Sequence, residues 1–289
     1  MEPEDLPRFA LPPVIEVLGA VQFVPLPGFA LREIVRVAEA LPDYELRELR
    51  GRLAPLHEPE LGVGDQLDLS QLDASLPHAV TRQAEEANEQ QPLQQRGVYS
   101  THDERYLAQV QHDRIAVSER CTPWPGGGRP SSANVWRALE EIREQVRGAL
   151  VQDGAERGPA HATLVELTHV NEIYPAEGVW QSHGELHRVL RTISPTAGNS
   201  PWTKVERTTI AFAFPLHSGG VFGGRLHVSA TPAYTAAGTP TFTLALTARR
   251  LLDGSVPLRE VFEACRCDAV RAFTALTTSP MHLQWGREC

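Results

Sequence analysis

The sequence predicts an α+β protein of two similar lobes, each an antiparallel sheet meander with helices packed on one face. Three observations carry that reading. Short strand-like runs come in groups of three, with turn residues between them. A long amphipathic helix follows each group. The order strand, helix, meander, helix then occurs twice along the 289 residues. Sheets with helices on one face are an economical way to bury such elements.

The first pass opens at residues 13–25, PVIEVLGAVQFVP, whose continuous apolar, β-branched character reads as a buried strand. Residues 30–41, ALREIVRVAEAL, place Leu31, Ile34, Val35, Ala38 and Leu41 at helical spacing, and Pro42 stops the helix. The segment GVYSTHDERYLAQVQHDRIAVSER reads as three strands with turns near His102-Asp103 and His112-Asp113. After CTPWPGGGRPSS, Ser131 or Ser132 can cap a helix over 133–152 that aligns Val135, Trp136, Leu139, Ile142, Val146 and Leu150. The second pass starts with a strand over 162–173, followed by a helix in HGELHRVLRTI. Three strands follow, marked by Ile210, Phe212 and Phe214, by Leu226 and Val228, and by Phe242, Leu244 and Leu246. A helix over 256–277 closes the chain, with Ser255 as its cap and Leu258, Val261, Phe262, Cys265, Phe273 and Leu276 on its buried side. The boundary falls between Gly154 and Pro159, giving lobes 1–156 and 157–289. No motif repeats between them, so duplication rests on element order alone. Residues 51–97 fit least well, and the Gln-rich stretch Glu85–Gln95 reads as a solvated loop.

With 42% hydrophobic and 22% charged residues, the chain is ordinary globular material. No apolar run approaches the roughly 20 residues that span a bilayer, and the acidic start MEPEDLPRF lacks the basic end of a secretory signal. A soluble, cytoplasmic protein with no membrane partner is expected. The net charge of -9 opposes phosphate backbones, which disfavours nucleic acid. The four cysteines form no disulfide framework, and Cys265 and Cys267 point to different sides of a helix.

Two places invite chemistry. In QSHGELHRVL, His183 and His187 lie four apart and could share a metal on one helical face. Gly184 occupies the place where zinc proteases carry glutamate, and it suggests that the helix begins there with Ser182 as its cap. A third ligand would have to come from His169 or Glu172. Among 11 histidines a chance pair is the favoured reading, and no cofactor is expected. The strand THVNEIY puts His169, Asn171 and Ile173 on one face and Val170 and Glu172 on the other. Asn171 there most simply satisfies a neighbouring backbone group. The alternative makes His169, Asn171 and Glu172 binding residues in a cleft between lobes. HSGGVFGGR, 217–225, joins strand to strand and reads as a hairpin rather than a phosphate loop. No Gly-x-Ser-x-Gly elbow or Cys-x-x-Cys pair occurs.

Three landmarks resemble a sporadically distributed bacterial family of uncharacterised proteins: the opening PPVIEVLGAVQFVPL, the central LTHVNEIYP, and the closing AFTALTTSPMHLQWG, which has the form F-x-x-LTT-x-x-M-x-x-x-W-G. The meander RYLAQVQHDRIAVSER is similar in style to that family's middle strands. Thr168 and His169 stand where the resemblance implies an arginine-tyrosine pair. It implies one shared architecture and no reaction.

Function is therefore sought in surfaces. The sequence favours a non-catalytic peptide- or protein-binding accessory protein that works with a partner enzyme, and ribosomal-peptide natural product maturation is one setting for it. A metal-dependent enzyme using His183 and His187 is the first alternative, and a defence or regulatory factor binding nucleic acid is the second.

Overall fold

The computed structural model describes residues 6–26, 28–51, 53, 56, 95–121, 128–150, 161–193, 206 and 208–288. Its strands are β1 (Val14–Phe23), β2 (Tyr44–Gly51), β3 (Gln95–Thr101), β4 (Tyr106–Gln111), β5 (Arg114–Arg120), β6 (Ala162–Ile173), β7 (Ile210–Ser218), β8 (Val221–Tyr234) and β9 (Pro240–Leu251). Its helices are α1 (Leu31–Ala40), α2 (Ser132–Leu150), α3 (Leu186–Val189), α4 (Leu258–Leu276) and α5 (Ser279–Gln284), with a 3-10 turn at His183–Glu185 before α3.

All nine described strands form a single antiparallel sheet in the order β2-β3-β4-β5-β1-β6-β9-β8-β7. The expected meanders and their flanking helices are present. The two halves, however, are joined strand to strand through β1 and β6 at the centre. The expected boundary lies in 151–160, outside the described residues, as do most of 51–97 and all but the last residue of the Gln-rich stretch.

The long helices lie on one face, α2 over β1 and β5, α4 over β6 and β9, and α1 against α2. Their apolar stripes explain this. Val135, Trp136, Leu139, Ile142, Val146 and Leu150 of α2 are all buried, as are Val261, Phe262, Cys265, Ala269, Phe273 and Leu276 of α4. Facing them, Val17, Val21, Phe23, Val165, Leu167 and Ile173 alternate inward from the central strands. Gly19 is needed in that row, because a Cβ there would lie 2.8 Å from the Phe262 ring and 2.9 Å from a Val135 methyl.

Helix starts differ in how they are satisfied. Ser131 Oγ accepts from the Asn134 backbone N–H at 3.2 Å, as the sequence suggests, and buried Glu119 accepts from the Ser131 backbone N–H at 2.8 Å. At α4 the cap position is Pro257, while Ser255 donates its N–H and hydroxyl to Asp253 instead.

The repetition is closer than element order reveals. A shift of 150 positions superposes VIEVLGAVQF on LVELTHVNEI and takes Glu16 to Glu166. The same shift relates Leu18 to Thr168, which face each other across β1 and β6, so an approximate two-fold axis passes through that pair. Registers agree on both sides of it: Glu16 opposes Arg120 and Ala20 opposes Ala116, while Glu166 opposes Arg249 and Val170 opposes Ala245. Beside the axis, Trp136 of α2 meets Phe262 of α4 with ring centroids 5.1 Å apart.

Candidate binding surfaces

Alternation along the strands gives the sheet a second face that carries no described helix. Glu16, Leu18, Ala20 and Gln22 of β1 point to it, together with Arg114, Ala116 and Ser118 of β5. It is nonetheless buried, and Gln22 and Gln111 on it hydrogen-bond the backbone of Leu56 and Leu53.

A cross-strand row on this face runs Ala116, Ala20, Glu166, Arg249, Arg225. Glu166, with a side chain 0% exposed, accepts from Arg114 Nη2 at 3.0 Å and from Arg249 Nε at 2.7 Å. Burial alone would raise the Glu166 pKa, but the Arg114 and Arg249 guanidiniums outweigh it and hold the carboxyl below its ordinary value. Glu166 is thus an anion flanked by two cations. Arg225 stacks over Phe222 at 4.8 Å from the ring centroid.

The residues singled out from sequence sit elsewhere. His183 Nε2 lies 2.9 Å from the Ala233 carbonyl and 3.0 Å from the Thr241 carbonyl, and its ring packs against Tyr234 and Phe242. His183 belongs to the 3-10 turn and His187 to α3, so the pair does not share one continuous α-helix. Glu185 between them accepts from the N–H groups of Gln181 and Ser182 at 2.7 and 3.1 Å, and these bonds, the Gln181 one foremost, lower its pKa. Among the described residues no three His, Cys, Asp or Glu cluster in a way that could hold a metal.

Asn171 Nδ2 donates to the carbonyl of Leu244, its direct register partner on β9, at 3.1 Å. His169 lies beside α4, where burial lowers its pKa to about 4 and Arg266 adds to the shift. Glu172 accepts from the Tyr174 hydroxyl at 2.6 Å at the surface. His169 and Asn171 thus share a face of β6, with Asn171 Nδ2 also 3.4 Å from the His169 carbonyl, while Glu172 points to the other face. HSGGVFGGR is a hairpin: Gly219 and Gly220 take φ +60 and +85 between β7 and β8. Gly224 lets β8 approach β9, since a Cβ there would strike the Arg249 carbonyl.

The two outer strands of the sheet contrast. β2, YELRELRG, carries Glu45, Arg47, Glu48 and Arg50, paired Arg47 to Glu45 and Arg50 to Glu48. β7, IAFAFPLHS, carries no Asp, Glu, Lys or Arg, and Phe214 is 37% exposed. No described strand pairs with its outer side. Pro215 lacks an N–H, which leaves Ile210–Phe214 as the uninterrupted stretch.

No known protein family and no curated protein matches the chain. Among solved structures, it is similar to the duplicated taurocyamine kinase from Schistosoma mansoni with bound transition state analog components, at TM-score 0.36 and 15% identity. The match covers 91% of this chain and 32% of that one, so the chain spans about a third of that protein's length. No helix among the described residues is long and apolar enough to cross a membrane.

Proposed function

We propose that this protein is a non-catalytic binding protein that takes an extended, uncharged peptide segment of a partner along the outer side of β7. The observation that carries this reading is the contrast between the two sheet edges. Charged side chains blunt β2 against strand addition, whereas Ile210–Phe214 offers backbone pairing and apolar side chains without them. Backbone pairing would supply affinity, and the alternating pockets beside Phe212 and Phe214 would select β-branched or aromatic residues. Such a protein would act as an accessory to a partner enzyme, presenting a peptide for modification as ribosomal-peptide natural product maturation requires. The two halves, 1–156 and 157–289, would then divide the work: the first ends in a guarded edge and the second in an open one.

Panning a display library of linear peptides against the full chain tests this. The expected selection is short segments of alternating β-branched and aromatic residues without charge. The double variant Ala211→Lys, Phe214→Lys should weaken their binding at least tenfold, since it charges the edge without entering the core. Peptides that bind the variant as well as the wild type, or no selection at all, would overturn the reading. A concentration-dependent dimer abolished by the same changes would assign the edge to a second copy instead.

A further inference from the structure

We propose that the sheet face opposite α2 and α4 holds a binding site for a small oxyanion, a phosphate or carboxylate group, with Arg114 as its anchor. Arg114 spends Nη2 on Glu166, and its Nε and Nη1 are buried without a hydrogen-bond partner. Its side chain is only 6% exposed, so water has little access to those donors. Leaving a buried donor unsatisfied costs about 1–3 kcal/mol, more for a charged group. An oxyanion is the group that removes this cost, because a guanidinium offers only donors and prefers charged acceptors.

Charge selects the same chemistry. Arg114 and Arg249 both aim a guanidinium at Glu166, and a guanidinium bonds an oxyanion more strongly than a neutral acceptor. Glu166 already accepts one bond on each oxygen and holds both arginines in place as a positioning residue. The surroundings limit the size of the guest. Leu18, Ala20 and Ala116 form a small apolar patch of their own on this face. Ser118, four residues along β5 on the same side, is 1% exposed and its Oγ also lacks a partner. Short side chains between a cationic and a hydroxyl group suit an anionic head with a small apolar body. The burial of Arg114 and Ser118 excludes a polymer such as nucleic acid.

The test is isothermal titration of the full chain, dialysed into chloride buffer, with inorganic phosphate and separately with propionate at matched ionic strength. At least one should give saturable one-to-one binding, and which one does identifies the anionic group. Arg114→Lys keeps the charge but cannot reach both Glu166 and a guest, so binding should weaken at least tenfold. Should that variant fail to fold, Ser118→Ala supplies a second, with an expected loss of a few fold. Absence of saturable heat from both anions, as when ordered water alone fills the space, overturns the proposal. So does an Arg114→Lys or Ser118→Ala protein that binds like wild type. Neither residue lies on β7, so this outcome is independent of peptide capture.

Discussion

The strands on the two sides of the β1–β6 seam pair in matching registers and differ in what they place on the sheet face away from α2 and α4. In the first half Glu16 pairs with Arg120 at 3.1 Å, and Arg120 is 36% exposed, so its charge reaches water. In the second half the equivalent Glu166 meets the equivalent Arg249, which is 4% exposed, and gains Arg114 from across β1. The position matching Arg114 in the second half is Thr243, which carries no charge. One buried glutamate thus holds a partly exposed arginine, while its counterpart sits in a buried triad. Fold is thus maintained by the repeated apolar positions, and individuality enters at a few polar ones.

The sharpest way to break this comparison is to neutralise each glutamate in turn. Glu166→Gln removes the carboxylate that the two buried guanidiniums share and should cost about 3–5 kcal/mol. Glu16→Gln leaves an arginine that can hydrate, and should cost less than Glu166→Gln. Urea unfolding midpoints measure both, and similar losses would show that the two sites are energetically alike.

A second contrast lies on the helix face, where Gly19 corresponds to His169. The folded His169 has a pKa of about 4 against an ordinary value near 6.5, so the unfolded chain binds the proton first. Its contribution is therefore full above pH 6.5 and is lost as pH falls from there towards 4, by about 2 kcal/mol at pH 5. Stability measured between pH 7 and pH 5 should fall in the wild type and fall less in His169→Asn, whereas the first half, with glycine there, has no matching titration.

A modest effect is expected beside the axis. Trp136→Phe makes its contact with Phe262 symmetric and removes part of one buried ring, for a cost of about 1–2 kcal/mol. Thermal unfolding should show a modest drop with the fold intact.

Much of the fold was legible in the sequence because burial imposes a period. The six residues expected on the buried side of α2 are the six buried there, and the turns at His102-Asp103 and His112-Asp113 fall between β3, β4 and β5. β2 was hidden for a physical reason. A bulge between Leu46 and Glu48 shifts its alternation midway, and as an edge strand it carries charge on both faces. The short α5, opening at Thr278 with Pro280 in its first turn, was also missed. The joining of the halves could not be read from element order, since strand pairing between β1 and β6 leaves no local mark. A signal did exist, because the glutamates in VIEV and VELT stand at matching places within apolar runs. A charge at the centre of a buried strand points to a partner, and following it would have led to Arg249. The paired histidines misdirected attention because spacing alone cannot tell a ligand from a side chain that anchors two backbone carbonyls.

The β1–β6 seam carries a consequence for how such a chain could arise. A fragment ending at Leu150 would leave β1 as a bare margin, with Leu18 at the point the axis now crosses. Two such fragments could zip together, β1 to β1, and a dimer would then reproduce the seam of the single chain.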